Sequence, residues 1–206
     1  MKKIAAVVAL AIVAGAAGAS GITVKTGQTY DWSQPDGDTY LTVVSNDVAG
    51  SPAVAETSYD RLSMGSLTYY ALESTIKFDV TAPTSFAFRA GVDLGGGGAL
   101  FLDGVLLDSK STDMWWNYNY DDPSQFLAGS STSPLGVGVH TLTLVGIEDC
   151  CSGESQVQFS TDGGHSYTSF SSTDGMAAVP EAQAAAMLLG GLGLLATVAR
   201  RRKSQA

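Results

Sequence analysis

Apolar and polar residues alternate one by one in the middle of the chain, and this alternation limits the fold more than any other feature. Ile76, Phe78 and Val80 are separated by the polar residues Lys77 and Asp79. Successive side chains of a β-strand point to opposite faces, so a period of two indicates a strand with one buried face. The pattern returns after residue 83, and the sequence therefore predicts an all-β protein.

Short turns rich in glycine and aspartate separate the predicted strands. Asp103-Gly104 stands between two aliphatic runs, and this dipeptide supplies the positive φ angles that a two-residue hairpin turn requires. No internal segment has a convincing long helical period. Many short strands with such turns predict a jelly-roll-like antiparallel β-sandwich. The predicted strands are 40–45, 76–80, 86–92, 100–102, 105–107, 139–147, 156–161 and 167–170.

Both ends of the chain differ from this middle part. Residues 1–19 combine a basic start, an apolar run and a small-residue ending, which is typical of a secretory signal peptide cut after Ala19. Residues 184–199 are free of charge and precede a basic cluster, which predicts a transmembrane helix with its basic end in the cytoplasm. The alternatives are an uncleaved anchor or a buried helix for the first segment and a core helix for the second. The predicted divisions are signal peptide 1–19, sandwich 20–170, flexible spacer 171–178 and sorting and anchor segment 179–206.

The residues on either side of the C-terminal apolar run form a recognisable arrangement. Val179-Pro180-Glu181 precedes the run, and Arg200-Arg201-Arg202-Lys203 follows it. This arrangement resembles the PEP-CTERM sorting signal of Gram-negative bacteria that make extracellular polysaccharide, with Ala182 where the second proline of that pattern belongs. The resemblance implies export through the inner membrane, a membrane-anchored intermediate processed by an exosortase, and delivery to the cell surface or extracellular matrix.

Removal of both end segments leaves a strongly acidic domain. Residues 20–180 hold five basic residues against nineteen acidic ones, whereas the whole chain has a formal charge of −9. Such a surface repels phosphate backbones, which argues against a nucleic-acid partner. The charge suits solubility outside the cell, divalent cations or neutral sugars, and it does not decide among them.

The central segments follow the order of a known β-sandwich. FAFRAGVD is followed by GGGGALFLDGVLLDS and, after a long loop, by GVGVHTLTLVGIED. Over about residues 75–170 this order resembles the protective-antigen-like domain of bacterial toxins, glycosidases and yeast adhesins. The resemblance implies a sandwich that binds carbohydrate, in some members through a calcium ion held by adjacent aspartates. Asp93 occupies that position here, and Leu94 stands in place of the second aspartate.

The segment from Met114 to Asp122 has the most unusual composition of the domain. Aromatic faces stack on the apolar faces of sugar rings, while amides and carboxylates bond to hydroxyl groups. In the alternative interpretation, one tryptophan closes the bottom of the sandwich and the tyrosines cover it. The candidate carbohydrate-binding residues are Trp115, Trp116, Asn117, Tyr118, Asn119, Tyr120, Asp121 and Asp122.

Carboxylates in and near this segment are also candidates for holding Ca²⁺, because calcium prefers oxygen ligands. The candidate ligands are Asp93, Asp121 and Asp122. Their spacing is not that of a helix–loop–helix calcium loop, so this hypothesis depends on the two loops meeting in space.

The two cysteines of the chain, Cys150 and Cys151, are neighbours. Export would bring them into an oxidising compartment, where disulfides persist. A bond between neighbours removes almost no loop entropy, so a vicinal disulfide would shape one surface loop without holding the domain together. Bonds to other chains and reduced thiols, packed or metal-bound, are the alternatives. Followed by Ser152-Gly153, the pair is similar to the CCxG group of PEP-CTERM proteins.

Catalysis has little support in the sequence, which lacks a Gly-x-Ser-x-Gly elbow and a zinc-protease motif. Asp121 and Asp122 are adjacent, and in an extended segment they would point to opposite sides, unlike a glycosidase pair. The sequence therefore predicts a non-catalytic module that binds exopolysaccharide or another glycan through the 113–122 loop beside the 148–154 loop. A matrix protein that assembles through strand edges or disulfides, and a hydrolase of matrix glycans, are the alternatives.

Overall fold

The computed structural model describes residues 20–29, 37–65, 67–151 and 153–176. Its helical elements are α1 (Thr39–Asp47) and a 3-10 turn at Pro123–Gln125. Its strands are, in chain order, β1 (Gly21–Gln28), β2 (Val54–Glu56), β3 (Leu62–Ser63), β4 (Tyr70–Val80), β5 (Ala87–Gly91), β6 (Asp93–Leu94), β7 (Gly98–Leu102), β8 (Val105–Lys110), β9 (Met114–Trp115), β10 (Phe126–Ser130), β11 (Gly138–Glu148), β12 (Glu154–Ser160) and β13 (Thr168–Ser169).

Two antiparallel sheets form a sandwich, as predicted. The larger sheet has the strand order β2-β1-β4-β11-β7-β8, and the smaller sheet has the order β10-β5-β12-β13. The strands β6 and β9 form a separate short ribbon. The pairing of β4 with β11 runs without interruption from Val80 opposite Gly138 to Tyr70 opposite Glu148.

The core lies between the two sheets and follows from the alternation in the sequence. Ile76 and Phe78 of β4 are fully buried, whereas Lys77 between them is exposed. Phe88 of the smaller sheet faces them, and its ring centroid lies 5.9 Å from that of Phe78. Burial of large aliphatic and aromatic side chains contributes roughly 1.5–3 kcal/mol per residue, so this layer is the main source of stability.

The predicted Asp-Gly hairpin is confirmed. Asp103 and Gly104 have φ angles of 49° and 79°, and they join β7 to β8. Both residues of a type I′ turn need positive φ, which aspartate tolerates and glycine adopts without steric cost.

The strand predicted at 40–45 is wrong, because these residues lie in helix α1. Tyr40, Val44 and Val48 follow one another at intervals of four and are fully buried. They pack on the outer face of the larger sheet against residues such as Phe101 and Val145. The helix has only nine residues, so its period covers too few turns to stand out from the short strands around it.

The first part of the predicted spacer 171–178 lies against the sandwich. The backbone N–H of Ser172 donates to the carbonyl of Thr57 at 2.7 Å, Ser171 forms a bridge with Ser58, and Met176 packs against the core. Residues 171–176 are therefore attached to the sandwich. The predicted signal peptide 1–19 and sorting segment 179–206 lie outside the described residues. Across the described ranges, no helix is long and apolar enough to cross a membrane.

We expect Val44→Ala to lower the free energy of unfolding by about 2 kcal/mol, because it removes methyl groups from the contact between α1 and the larger sheet. Thr42→Ala, at an exposed position of the same helix, should change stability by less than about 0.5 kcal/mol. Urea unfolding followed by circular dichroism measures both values. Equal effects of the two substitutions would contradict the helical assignment.

Candidate functional site

The short ribbon of β6 and β9 determines where the aromatic side chains of the 114–122 segment point. Asp93 pairs with Trp115 and Leu94 pairs with Met114. Because side chains alternate along β9, Met114 is fully buried in the core while 60% of Trp115 is exposed. The chain then turns back over the smaller sheet, where Trp116 is only 4% exposed.

Trp115 stands between two cavities at one end of the sandwich. Because its side chain lines both of them, a ligand lying on the indole ring would have polar groups on either side. The larger cavity, of about 420 Å³, is lined by Asp93, Gly95, Asp113, Trp115, Glu148, Asp149, Cys150 and Cys151. The smaller cavity, of about 210 Å³, is lined by Trp115, Trp116, Asn117, Asn119, Asp122 and Gln125.

Carboxylates make the larger cavity acidic, and backbone N–H groups hold two of them in place. Glu148, the last residue of β11, is 1% exposed. Its Oε2 accepts from the N–H of Gly95 at 2.8 Å, and its Oε1 accepts from the N–H of Cys150 at 2.9 Å. Asp93 accepts from the N–H of Gly153 at 2.6 Å. These bonds tie the loops around residues 95 and 150 to the ends of the strands.

Burial and mutual repulsion disfavour ionisation in this cavity. The pKa of Glu148 is raised to about 7, mainly by burial and further by the nearby Asp93 and Asp149, while the two N–H donors oppose the shift. Burial likewise raises the pKa of Asp93, with contributions from Asp113 and Asp149 against the N–H of Gly153. A neutral or cationic ligand would suit this cavity better than a second anion.

Three amide side chains, those of Asn117, Asn119 and Gln125, line the smaller cavity. The backbone N–H of Trp115 donates to Oε1 of Gln125 at 2.7 Å, which joins the end of β9 to the 3-10 turn. Asp122 caps this turn through Ser124, and these hydrogen bonds lower the pKa of its carboxyl group. Trp116 contributes a buried Nε1–H that has no hydrogen-bond partner among the described residues.

The two tyrosines of the segment lie outside both cavities, on the outer face of the smaller sheet. Asn117 and Tyr118 have φ angles of 48° and 60°, so the chain reverses direction there. The Trp116 ring fills the space above Gly91, where a Cβ atom would lie 2.4 Å from the indole. Tyr118 and Tyr120 both pack on that ring at 5.5 Å between centroids.

The structure therefore divides the predicted carbohydrate-binding set. Trp115, Asn117, Asn119 and Asp122 share one neighbourhood, and Trp116 contributes a cavity wall. Asp121 is exposed, and its N–H donates to Oδ1 of Asn119. The alternative interpretation describes Trp116 in part, since this ring is buried and both tyrosines pack on it, although it covers the outer face of the smaller sheet and not the bottom of the sandwich. Trp115 is exposed and stays a candidate for binding.

Sequence reasoning missed the wall formed by Gln125 and did not assign Glu148 a position inside the site. The available signal for Glu148 was a carboxylate directly after the apolar run of β11, which is unusual in a buried strand. Gln125 offered no signal, because its role depends on the 3-10 turn that brings it back to Trp115.

Both cysteine thiols are free and exposed in the structure, so a vicinal disulfide stays a prediction. Cys151 has a φ angle of 65°, in the left-handed region that residues other than glycine rarely adopt. The pKa of Cys150 is raised to about 11, mainly by its hydrogen bond with the Cys151 thiol and further by the neighbouring Asp149 and Glu148. At neutral pH the thiol is therefore protonated, and it is a weak nucleophile and metal ligand.

The residues present do not fit the calcium site that the family resemblance implies. Asp93 lines the larger cavity, while Asp122 lines the smaller one on the other side of Trp115. Leu94, in place of the second aspartate, is 1% exposed and packs on Gly98 and Gly146 of the larger sheet. Within the described residues, no group of three or more histidine, cysteine or acidic side chains is arranged to hold a metal ion.

Comparisons with known proteins identify the fold. No family model matches the sequence, and no curated protein matches it. Among solved structures, the chain is similar to the PA14 domain of the MpAFP antifreeze protein, with a TM-score of 0.51 and 11% identity over 79% of this chain and 91% of that one. It is also similar to the PA14 sugar-binding domain from an RTX adhesin, with a TM-score of 0.50 and 12% identity over 78% and 99%.

A third similar structure is the epithelial adhesin 9 A domain from Candida glabrata, solved in complex with Galβ1-3GlcNAc. It has a TM-score of 0.51 and 9% identity over 78% of this chain and 89% of that one. At these identities the likeness concerns the fold alone, and the described domain is a PA14-like β-sandwich.

We expect the stability of the domain to fall as the pH rises from 4.5 to about 7. The pKa of Glu148 is higher in the folded state than its ordinary value of 4.5. The protonated form of Glu148 therefore stabilises the folded state. This contribution to stability is complete below pH 4.5 and is lost as the pH rises past 7. In Glu148→Gln the stability should depend less on pH over this range, by on the order of 2 kcal/mol.

Urea unfolding at several pH values measures this difference. The amide of glutamine has one oxygen, so it accepts one backbone N–H fewer than the carboxylate. This loss should lower stability by the same amount at every pH, and the comparison therefore uses the slope of stability against pH. Glu56→Gln, at the edge strand β2, is the control and should leave the pH profile of the wild type unchanged. Parallel profiles for Glu148→Gln and the wild type would contradict the assignment.

Proposed function

We propose that this protein is a non-catalytic carbohydrate-binding module whose ligand lies on Trp115. The observation that carries the proposal is an indole ring, 60% exposed, with a cavity of carboxylates on one side and a cavity of amides on the other. Exposed tryptophan rings stack on the apolar faces of sugars, and the surrounding polar groups orient the hydroxyls.

The polar groups near Trp115 can both accept hydrogen bonds from sugar hydroxyls and donate hydrogen bonds to them. Asp113 and Asp149 are exposed acceptors on the acidic side, and Asn117 and Asn119 offer both donors and acceptors on the other. The Nε1–H of Trp116 is a buried donor without a partner among the described residues. Because this donor is buried, as the side chain of Glu148 is, it does not contact a ligand that lies on Trp115.

Two of the similar structures support a carbohydrate as the ligand class. The RTX adhesin domain is described as sugar-binding, and the Candida glabrata domain was solved with a galactose-containing disaccharide. Neither protein identifies the sugar for this chain. The acidic surface of residues 20–180 favours a neutral glycan at this cavity over a polyanion.

Hydrolysis of a glycan is the competing function, because Glu148 has a pKa of about 7, in the range useful for a general acid. Two features oppose it. Glu148 is 1% exposed, so its carboxylate is not accessible to a glycosidic bond at the surface. Both of its oxygens also accept backbone N–H groups, which assigns the side chain a structural role.

We further propose that the domain acts outside the cytoplasm, at the cell surface or in the extracellular matrix. The support for this comes from the signal-peptide pattern at residues 1–19 and the sorting pattern at 179–203. The exosortase and the inner membrane would be transient partners, and exopolysaccharide would be the lasting one.

We expect Trp115→Ala to weaken binding of neutral glycans by about tenfold, because it removes the stacking surface. Val139→Ala is the matched control, since it removes an exposed apolar side chain at the opposite end of β11. A glycan array identifies a ligand, and titration calorimetry then compares the variants. Absence of any glycan binding by the wild type, or equal affinity of Trp115→Ala, would refute the proposed site.

We expect the intact mass of the protein recovered from the cell surface to lack residues 1–19. The same measurement reports whether the segment from 179 onward is cut and whether the thiols are oxidised, since a disulfide lowers the mass by two hydrogens. Recovery of the whole chain, starting at Met1, from the cytoplasmic fraction would contradict export.

A further inference from the structure

Arg89 occupies the centre of the outer face of the smaller sheet. Its neighbours along β5, Phe88 and Ala90, are buried in the core, so alternation directs the Arg89 side chain outward. There the guanidinium lies between two tyrosine rings. Its carbon Cζ is 3.7 Å from the centroid of Tyr120 and 3.9 Å from that of Tyr167.

The guanidinium has unused donors. Its Nε donates to Oε1 of Gln158 at 2.6 Å. Among the described residues, neither Nη atom has a hydrogen-bond acceptor and no carboxylate lies within ion-pair distance. The other arginine of the described ranges, Arg61, forms an ion pair with Glu154, and two of the lysines also pair with carboxylates.

This arrangement prepares Arg89 to bind an anion. Stacking between two rings fixes the plane of the guanidinium, so little side-chain entropy is left to lose when a ligand binds. Two Nη groups directed the same way form a fork that matches the two oxygens of a carboxylate. Arg89 has no carboxylate partner in the described part of the chain, although the domain is strongly acidic. Its positive charge is therefore available to an anionic ligand.

We propose that Arg89 forms a second binding site, which recognises the carboxylate of a uronate residue in a polysaccharide. The site goes beyond the proposed function, because it lies on a sheet face and includes no atom of Trp115. It shares with that function only the class of ligand, a glycan.

The surroundings of Arg89 favour a sugar carboxylate over an acidic peptide or a polyphosphate. The side chains of Gln156, Gln158 and Ser169 form a hydrogen-bonded network beside the guanidinium. Each amide nitrogen of this network has a second N–H, and each amide oxygen a second lone pair, with which a sugar hydroxyl can bond. Asp60 accepts from Gln156 and Ser169 on the same face. Asp60 and the acidic domain would repel a ligand with closely spaced charges, whereas a uronate carries one carboxylate among several hydroxyls.

The decisive comparison uses a glucuronate-containing tetrasaccharide and the same tetrasaccharide with its carboxyl groups reduced to alcohols. Titration calorimetry is done with the full chain carrying Trp115→Ala, so that the first site does not contribute. We expect the acidic form to bind about tenfold more tightly than the reduced form. Arg89→Gln should abolish this preference, and Arg89→Lys should retain part of it, because lysine keeps the charge but not the fork.

Lys77→Gln is the matched control. Lys77 is an exposed cation on the larger sheet that also has no ion pair among the described residues, and its loss should leave the preference unchanged. Circular dichroism checks the fold of each variant, and the comparison of the two tetrasaccharides decides the question even if Arg89→Gln fails to fold. Equal affinity for both tetrasaccharides overturns the proposal, as does a preference that survives in Arg89→Gln.

A hexaglutamate peptide serves as the competing anion. Weaker binding of the peptide than of the acidic tetrasaccharide supports a sugar carboxylate, whereas equal or tighter binding overturns the sugar assignment. The two proposals can fail independently. The site at Trp115 is tested by the binding of neutral glycans, and the site at Arg89 is tested by the preference for the acidic over the reduced tetrasaccharide.

Discussion

The continuous pairing of β4 with β11 is the constraint on which the site depends. It holds both strands in register over their whole length, from Val80 opposite Gly138 to Tyr70 opposite Glu148. Glu148 therefore ends β11 at a defined position, where its two carboxylate oxygens accept N–H groups from Gly95 and Cys150. A slip of one residue would turn Glu148 to the other face of the sheet and release both loops.

Burial of Glu148 lowers the stability of the folded protein at neutral pH, but it fixes the positions of two loops. Desolvation and the neighbouring acidic groups raise its pKa, so its ionised form is less stable in the folded protein than in water. The same carboxylate connects the loops around Gly95 and Cys150 to the end of β11. Loss of stability in exchange for defined loop positions is common at binding sites, where a rigid arrangement of groups lowers the entropy lost on binding.

The sequence predicted the regular elements in which apolar and polar residues alternate clearly. Alternation located the core strands, and Asp103-Gly104 located the hairpin, because both follow from local backbone geometry. Helix α1 was missed, since Tyr40 and Val44 belong to only two turns, and packing on the larger sheet stabilises it more than its own sequence does. The division of the aromatic segment was also not predictable. It depends on the two successive left-handed residues, Asn117 and Tyr118.

That left-handed turn explains how one loop supplies two different surfaces. Before it, Trp115 follows the alternation of β9 and faces the cavities at the end of the sandwich. After it, Tyr120 lies on the outer face of the smaller sheet and holds the guanidinium of Arg89. Trp116 anchors the point between them, because its ring fills the space that Gly91 leaves open. Any side chain larger than hydrogen at Gly91 would displace this ring, and both surfaces would then lose their shared support.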